Sequence, residues 1–252
     1  MNVKGKSILI TGGAGGLGSV MAKLLAKNGA TIFILDLPVA EKSASELIAE
    51  IEKEGGEAYF EPIDGTKEED WKRVVESVGS KGKKIDVLIN NAGINIRKPV
   101  EEISMEEWMT MMSVNVGGVF LGIKYTIPVM RKQGGGLIIN TSSVCGLIGH
   151  KFTPEAYTAT KGAVTMLTKA IASRYGKDNI RCNSIHPSTV DTPLVHERLK
   201  DPQFAQERLG EVPLGRLATA DDVANTVLFL ASDEASFING AAVPIDGGVT
   251  CY

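Results

Sequence analysis

The chain has 252 residues, 43% hydrophobic and 23% charged, with a formal net charge of −3. That length suits one large α/β domain with a substantial core, and the slightly acidic balance gives no electrostatic case for nucleic acid or an anionic membrane. No apolar run approaches the roughly 20 residues of a membrane span, and the start, MNVKGKSILITGG, is too soon interrupted by glycine for a secretory h-region; with Cys145, Cys182 and Cys251 in no disulfide or metal-ligand spacing, a reducing, cytoplasmic setting is expected.

The first predicted strand, Ser7–Thr11, runs into TGGAGGLG and a helical pattern over Gly16–Asn28. Gly12, Gly16 and Gly18 allow a tight turn, close backbone approach and close helix–strand packing, and the helix that follows offers free N–H groups and a positive dipole end to a pyrophosphate. Glycines also make plain turns, but strand, loop and helix are here in the order a dinucleotide needs. The second strand, Thr31–Asp36, ends on a carboxylate suited to accept hydrogen bonds from both hydroxyls of an adenine ribose and to repel a 2′-phosphate. Neither Gly15 nor Leu37 supplies a cation for that phosphate, so the expected cofactor is NAD.

A helix over Ala40–Glu54 and a strand over Glu57–Ile63 lead to Asp64–Gly65, a candidate adenine contact or a plain strand-end turn. The helix Lys67–Gly79 and strand Ile85–Asn90 precede NNAG at Asn90–Gly93, where Asn90 is expected to tie strands together. A long helix is predicted over Ser104–Arg131, opened by the capping pair Ser104 and Glu107, with its methionines, Met105, Met109, Met111 and Met112, expected in a helix interface. It carries Asn115, a poor mid-helix residue by propensity. Strand Gly136–Thr141 ends on Ser142–Ser143, and Thr153–Pro154 reads as a cap for the helix Pro154–Tyr175.

That helix carries Tyr157 and Lys161, four residues apart and therefore on one face. An unperturbed tyrosine, with a pKa of about 10, is too weakly acidic to serve as a base at neutral pH; a neighbouring cation favours the phenolate. Strand Ile180–His186 follows, with His186 expected to be structural. Ser188–Pro213 lacks a strand pattern and places Leu194, Val195, Leu199, Phe204 and Leu209 among charges, as in a mobile lid of short helices. Helix Ala220–Ala231, opened by Thr219 and Asp222, and strand Ala242–Asp246 close the chain. The apolar strands suit a parallel sheet covered on both faces, and the β–α alternation implies right-handed crossovers.

With TGGAGGLG, Asp36, NNAG and YTATK in order, the chain resembles the short-chain dehydrogenase/reductase family along nearly its whole length, from Lys6 to Asp246–Gly248. The resemblance implies a single doubly wound Rossmann-type domain with a seven-stranded parallel sheet and helices on both faces. It implies a tetrad of Asn115, Ser143, Tyr157 and Lys161. Tyr157 would be the acid/base. Lys161 would depress its pKa and bind the nicotinamide ribose, Ser143 would orient the substrate oxygen, and Asn115 would hold a relay water. Gly12, Leu17 and Gly18 would face the pyrophosphate, Asn91 and Gly93 the adenosine half, and Val190 and Thr192 the carboxamide. Two features depart from the family. The spacing from Ser143 to Tyr157 is one residue longer than usual, which puts an insertion near His150–Pro154, and Pro187 is followed by Ser188 where glycine is usual.

The expected activity is metal-independent hydride transfer between NAD(H) and a secondary alcohol or ketone. The lid leucines and Phe204 favour an apolar body, and NSIHP and TPLV are reminiscent of family members acting on cyclic alcohols and hydroxysteroids. A 3-oxoacyl thioester reductase shares the motifs but usually takes NADPH, which Asp36 disfavours. A sugar or polyol dehydrogenase would need a more polar lid, and a non-catalytic nucleotide-binding protein would not need the full tetrad. The resemblance also implies a homotetramer.

Overall fold

The computed structural model describes residues 1–252, the side chains at 193 and 194 excepted. Its main sheet is built from β1 (Ser7–Thr11), β2 (Thr31–Asp36), β3 (Glu57–Pro62), β4 (Val87–Asn90), β5 (Gly136–Thr141) and β6 (Ile180–Pro187). A short pair, β7 (Val190–Asp191) and β8 (Ala218–Thr219), stands apart, and β9 (Ala242–Ile245) returns to the main sheet. The seven strands lie in the order β3-β2-β1-β4-β5-β6-β9, and every pairing is parallel. The helices are α1 (Gly16–Lys27), α2 (Glu41–Lys53), α3 (Glu68–Ser80), α4 (Met105–Met112), α5 (Gly118–Gln133), α6 (Glu155–Tyr175), α7 (Pro193–Arg198), α8 (Pro202–Gly210) and α9 (Ala220–Ala231).

Two cores form because strand side chains alternate faces. Ile8, Ile10, Ile32 and Ile34 point to one side and pack with Met21 and Leu25 of α1, Leu47 of α2 and Val227 of α9. Leu9, Phe33 and Leu35 point to the other, against Trp71 of α3, Ile123 of α5 and Val164 of α6. Each fully buried aliphatic side chain contributes about 1.5–3 kcal/mol, so the sheet centre is the rigid base of the molecule. A polar seam crosses it, because Asn90 donates to Asn140 Oδ1 at 2.8 Å and Asn140 donates to Thr168 Oγ1 at 2.9 Å. Asn90 thus ties β4 to β5, as the sequence suggested.

Strand order reverses between β1 and β4, and the carboxyl ends on either side of such a reversal open a crevice. Here Asn91 Nδ2 donates to the carbonyls of Thr11 and Gly12 at 3.1 and 3.3 Å, while Thr11 Oγ1 accepts the amides of Asn91 and Ala92 at 2.9 and 3.1 Å. Those bonds fix the floor of the crevice.

Several boundaries differ from the sequence expectations for physical reasons. β4 starts at Val87 because Gln133 takes the Ile85 backbone, accepting its amide at 3.0 Å and donating to its carbonyl at 3.1 Å. The long helix over 104–131 is broken into α4 and α5 by a π turn, Ser113–Gly117. The Ser104–Glu107 capping box is formed, but Met105 and Met109 are exposed and only Met111 of that group is fully buried. Thr153 does not cap α6; its hydroxyl bonds His150 Nδ1 at 2.9 Å instead. The 188–213 stretch, expected without a strand, contributes β7, which pairs with β8. Leu194 lies outside the described side chains, Leu199 packs toward Val212, Leu217 and Val249, and Leu209 is exposed.

Candidate active site

The loop after β1 is shaped by its glycines. Gly12 and Gly16 adopt φ of +61° and +51°, the left-handed region that other residues enter at a cost. A Cβ at Gly18 would lie 2.1 Å from the Gly12 carbonyl oxygen, so only glycine lets α1 come this close to the loop. Gly15 and Gly16 instead face open space. The first turn of α1 has no capping side chain and no acidic residue, whereas α3 has three acidic residues in its first turn and α4 has a full capping box. The N–H groups of α1 are therefore left for an outside acceptor, which suits a pyrophosphate. Leu17, in that turn, packs against the core below.

Asp36 sits beside this loop. Its Oδ2 accepts the Ala14 amide at 3.0 Å and its Oδ1 the Leu37 amide at 2.8 Å. No lysine or arginine forms an ion pair with it among the described residues. Asp64 spends its carboxylate on a turn, accepting from Thr66 N–H and Oγ–H at 3.1 and 2.7 Å, and these bonds hold it below the usual carboxylate range. Gly65 is open, with its carbonyl accepting the Trp71 indole N–H at 3.0 Å. A Cβ at Gly93 would lie 3.2 Å from Asn115 Oδ1 and 3.6 Å from Lys161 Nζ, so this glycine lies next to the lysine of the tetrad.

The two serines after β5 do different work. Ser142 Oγ donates to the Lys161 carbonyl at 2.9 Å and meets Thr165 Oγ1 at 3.1 Å, so it is spent on holding α6. Ser143 faces a cavity that Tyr157 and Ser188 also line, and its Oγ makes only a long 3.5 Å approach to the Pro187 carbonyl. His186 positions Ser143 from behind, with Nδ1 2.8 Å from the Ser143 carbonyl and Nε2 2.8 Å from Ser184 Oγ. Burial lowers its pKa, which keeps it neutral and structural.

Lys161 lies 5.4 Å from the centre of the Tyr157 ring and donates to the Thr141 carbonyl at 2.8 Å. Burial lowers its pKa to about 8. Burial also pushes the Tyr157 phenol upward, and Arg97 is the cation that pulls against this. In the chain by itself, burial sets the direction of the Tyr157 shift. Asn115 occupies the π turn and is fully buried. Its Oδ1 accepts the Ile94 amide at 2.8 Å, and its Nδ2 donates to the Ile94 carbonyl at 2.9 Å and to Thr160 Oγ1 at 3.1 Å. Through these bonds the side chain stitches the 91–96 loop to α6. A π turn in such a place is a common mark of a functional site.

A family model described as Enoyl-(Acyl carrier protein) reductase matches residues 12–250. The chain is 43% identical over 248 residues to a cyclopentanol dehydrogenase of Comamonas sp. (strain NCIMB 9872), covering 98% of each. It is 40% identical over 251 residues to a trans-4-hydroxycyclohexanecarboxylate dehydrogenase of Sinomonas cyclohexanicum, covering 97% of this chain and 93% of that one. The chain belongs to the short-chain dehydrogenase/reductase family. A solved gluconate 5-dehydrogenase from Burkholderia cenocepacia J2315, in complex with NADP and tartrate, matches with a TM-score of 0.93 at 32% identity over 100% of this chain and 97% of that one. The protein is thus an oxidoreductase of a family that binds a nicotinamide dinucleotide.

Both departures from the family pattern have a structural answer. Ser188 adopts no positive φ, so the loop after β6 accommodates serine without strain. Its buried Oγ has no hydrogen-bond partner among the described residues and sits in the cavity lining. The longer stretch before Tyr157 is fastened to α8 and its C-cap. His150 Nε2 is 2.9 Å from Glu211 Oε2, Arg208 pairs with Glu211 at 3.6 Å, and Arg208 donates to the Phe152 carbonyl at 2.6 Å. Val190 lines the cavity, and Thr192 caps α7, accepting the Val195 amide at 3.4 Å.

The cavity has a volume of about 180 Å³. Val195 and Phe204 supply the apolar wall expected of the lid, but Arg97, Arg208 and Glu211 make it more polar than the sequence suggested. Nothing in the spacing of Arg97, which follows NNAGINI, pointed to the pocket; the loop carries it there.

Proposed function

We propose that this protein is a metal-independent dehydrogenase that transfers a hydride between NAD(H) and a small cyclic secondary alcohol or its ketone. The observation that carries this reading is the meeting of Ser143, Tyr157 and Ser188 around one small cavity, at the end of the crevice that the glycine loop opens. The open N-terminus of α1, the glycine cradle and the partnerless Ser188 hydroxyl fit a dinucleotide lying along the crevice. Gly12, Gly16, Leu17 and Gly18 would receive its pyrophosphate, and Val190 its nicotinamide end, with Asn91 and Gly93 holding the floor between.

Bound there, a nicotinamide dinucleotide would supply the hydride acceptor or donor and, when oxidised, a positive charge. The chain supplies the proton chemistry. In oxidation, Tyr157 as phenolate takes the hydroxyl proton of the alcohol and becomes the phenol; in reduction the phenol gives its proton to the carbonyl oxygen. Ser143 donates to that oxygen where charge develops. Lys161, held by the Thr141 carbonyl, keeps its ammonium at the same end of the crevice, and Asn115 fixes the loop against which it rests.

Asp36 supports NAD over NADP, because a 2′-phosphate beside it would meet a carboxylate and no paired cation. The ring alcohols in the names of two relatives support a cyclic substrate, and the volume supports a small one, since it lies below the roughly 300–1,000 Å³ of drug-sized sites. A steroid-sized substrate would need α7 and α8 to move outward, and we read 188–213 as a lid of a single 1–252 domain that permits such movement. Exposed apolar residues on the α4–α6 side, Met105, Met109, Phe120 and Met166, support a homotetramer that covers them. Three free cysteines support a reducing, cytoplasmic setting, and among the described residues no helix is long and apolar enough to cross a membrane.

The test is a panel read by reduced nicotinamide absorbance, with NAD or NADP against cyclic alcohols, hydroxysteroids, linear 2-alkanols, polyols and 3-hydroxyacyl thioesters. Turnover with NAD and a cyclic alcohol is expected. A preference for NADP with a 3-hydroxyacyl thioester would overturn both the cofactor and the substrate assignment.

A further inference from the structure

The mouth of the cavity carries more cationic charge than its neighbours can neutralise. Arg97 lines both the inner cavity and an adjoining outer groove of about 340 Å³. That groove is walled by Arg97, Lys98, Lys151, Arg198 and Arg208, against the carboxylates Glu155 and Glu207. Some of this charge is already used. Lys98 pairs with Glu107 and Arg208 with Glu211, while Glu155 and Glu207 pair with no cation within 4.0 Å among the described residues. Among the described residues Arg97 and Arg198 have no ion pair within 4.0 Å, and neither donates a hydrogen bond.

The guanidinium carbons of Arg198 and Arg208 lie 4.3 and 5.4 Å from the centre of one ring, that of Phe204. Two like charges are thus held close together at the entrance, in a chain whose net charge is −3. Burial and the charges of Arg198 and Arg208 together lower the pKa of Arg97. Such a cluster is costly when unoccupied and favourable when an anion enters it, because charge-assisted pairs to a planar guanidinium are strong and directional. Tyr157 and Arg97 line the same cavity, so one small molecule can reach both.

We infer that Arg97, with Arg198, forms a carboxylate-binding subsite at the cavity mouth, and that the enzyme acts on ring alcohols carrying a carboxylate remote from the carbinol carbon. The inference rests on the dehydrogenase reading above. Tyr157 and Ser143 would hold the alcohol oxygen while the carboxylate reaches back to Arg97.

The experiment compares 4-hydroxycyclohexanecarboxylate with cyclohexanol as substrates for the wild type, Arg97→Gln and Arg97→Lys, at two salt concentrations. Calorimetric titration of both alcohols into the protein saturated with NADH runs beside it. The wild type should favour the carboxylate in kcat/KM, and the preference should fall by about ten- to hundredfold in Arg97→Gln, mainly through KM. Arg97→Lys should restore part of it, and added salt should weaken it. Turnover of cyclohexanol with no preference for the carboxylate, or a preference unchanged in Arg97→Gln, would overturn the inference and leave the dehydrogenase reading intact. Silence toward both alcohols, with carboxylate binding that Arg97→Gln abolishes, would overturn the dehydrogenase reading and sustain the anion subsite. Binding indifferent to Arg97 would overturn the subsite.

Discussion

The glycine loop after β1 and the mouth of the cavity beneath α8 are built on opposite principles. The loop works through what is missing: no Cβ at Gly18, no cap on α1, no acid in its first turn. Its recognition surface is backbone, fixed by a sheet whose central strands are fully buried. The mouth works through long side chains. Arg208, His150 and Glu211 tie α8 to the stretch before Tyr157, and among the described residues Arg97 beside them has no ion pair. A backbone site tolerates only glycine at its tightest point, whereas a side-chain site can be retuned one residue at a time. Common cofactor binding and divergent substrate choice follow from that difference.

Substitutions can break this contrast. Short of Tyr157 itself, the largest effect is expected from the serine pair at the boundary of the two regions. Ser143→Ala should lower kcat by about 10²–10³, the usual loss when a donor to a developing oxyanion is removed. Ser142→Ala should instead lower stability by about 1–3 kcal/mol, because it strips buried bonds to Lys161 and Thr165. Steady-state kinetics and thermal melts of both variants check this, and exchanged outcomes would reverse the assignment of the two serines.

Gly18→Val comes next. Its Cβ would drive into the Gly12 carbonyl, and relieving an overpacked contact costs about 1–3 kcal/mol. NADH affinity by fluorescence titration should fall about a hundredfold; near-normal affinity would show that the loop is not the cofactor cradle. A smaller effect belongs to Asp36→Ala, which should shift the ratio of kcat/KM for NAD over NADP by about tenfold toward NADP. An unchanged ratio would remove Asp36 from cofactor choice.

The smallest effect concerns pH. Lys161 titrates at about 8 in the folded chain against an ordinary 10.5. Between these values the unfolded chain binds more protons, so this group makes stability rise with pH across that window, by no more than about 3 kcal/mol. Denaturation midpoints of the wild type and Lys161→Met, compared from pH 7 to 10.5, should converge in the direction of that rise. A parallel dependence would place Lys161 in solvent.

Much of the frame was legible in the sequence because it follows from short-range rules. Apolar runs such as SILIT and TIFIL mark the buried strands, and the capping residues Ser104 and Thr219 sit where helices begin. Gly12 and Gly18 announce a crevice because no other residue fits them. What stayed hidden depends on contacts between distant segments. The π turn exists because Asn115 bonds Ile94 and Thr160, which no helix periodicity reveals. The upward shift of the Tyr157 phenol comes from burial, while its spacing to Lys161 suggested the reverse. That Arg97 has no ion pair among the described residues is visible only once the side chains around it are placed.

The most direct test of the account is Tyr157→Phe, assayed for turnover with NAD and a cyclic alcohol and, separately, for NADH binding. The account predicts a loss of turnover of about 10²–10⁴, the span of a general acid/base contribution, with NADH affinity close to that of the wild type. Turnover that survives in this variant would contradict the assignment of Tyr157 as the group that moves the proton.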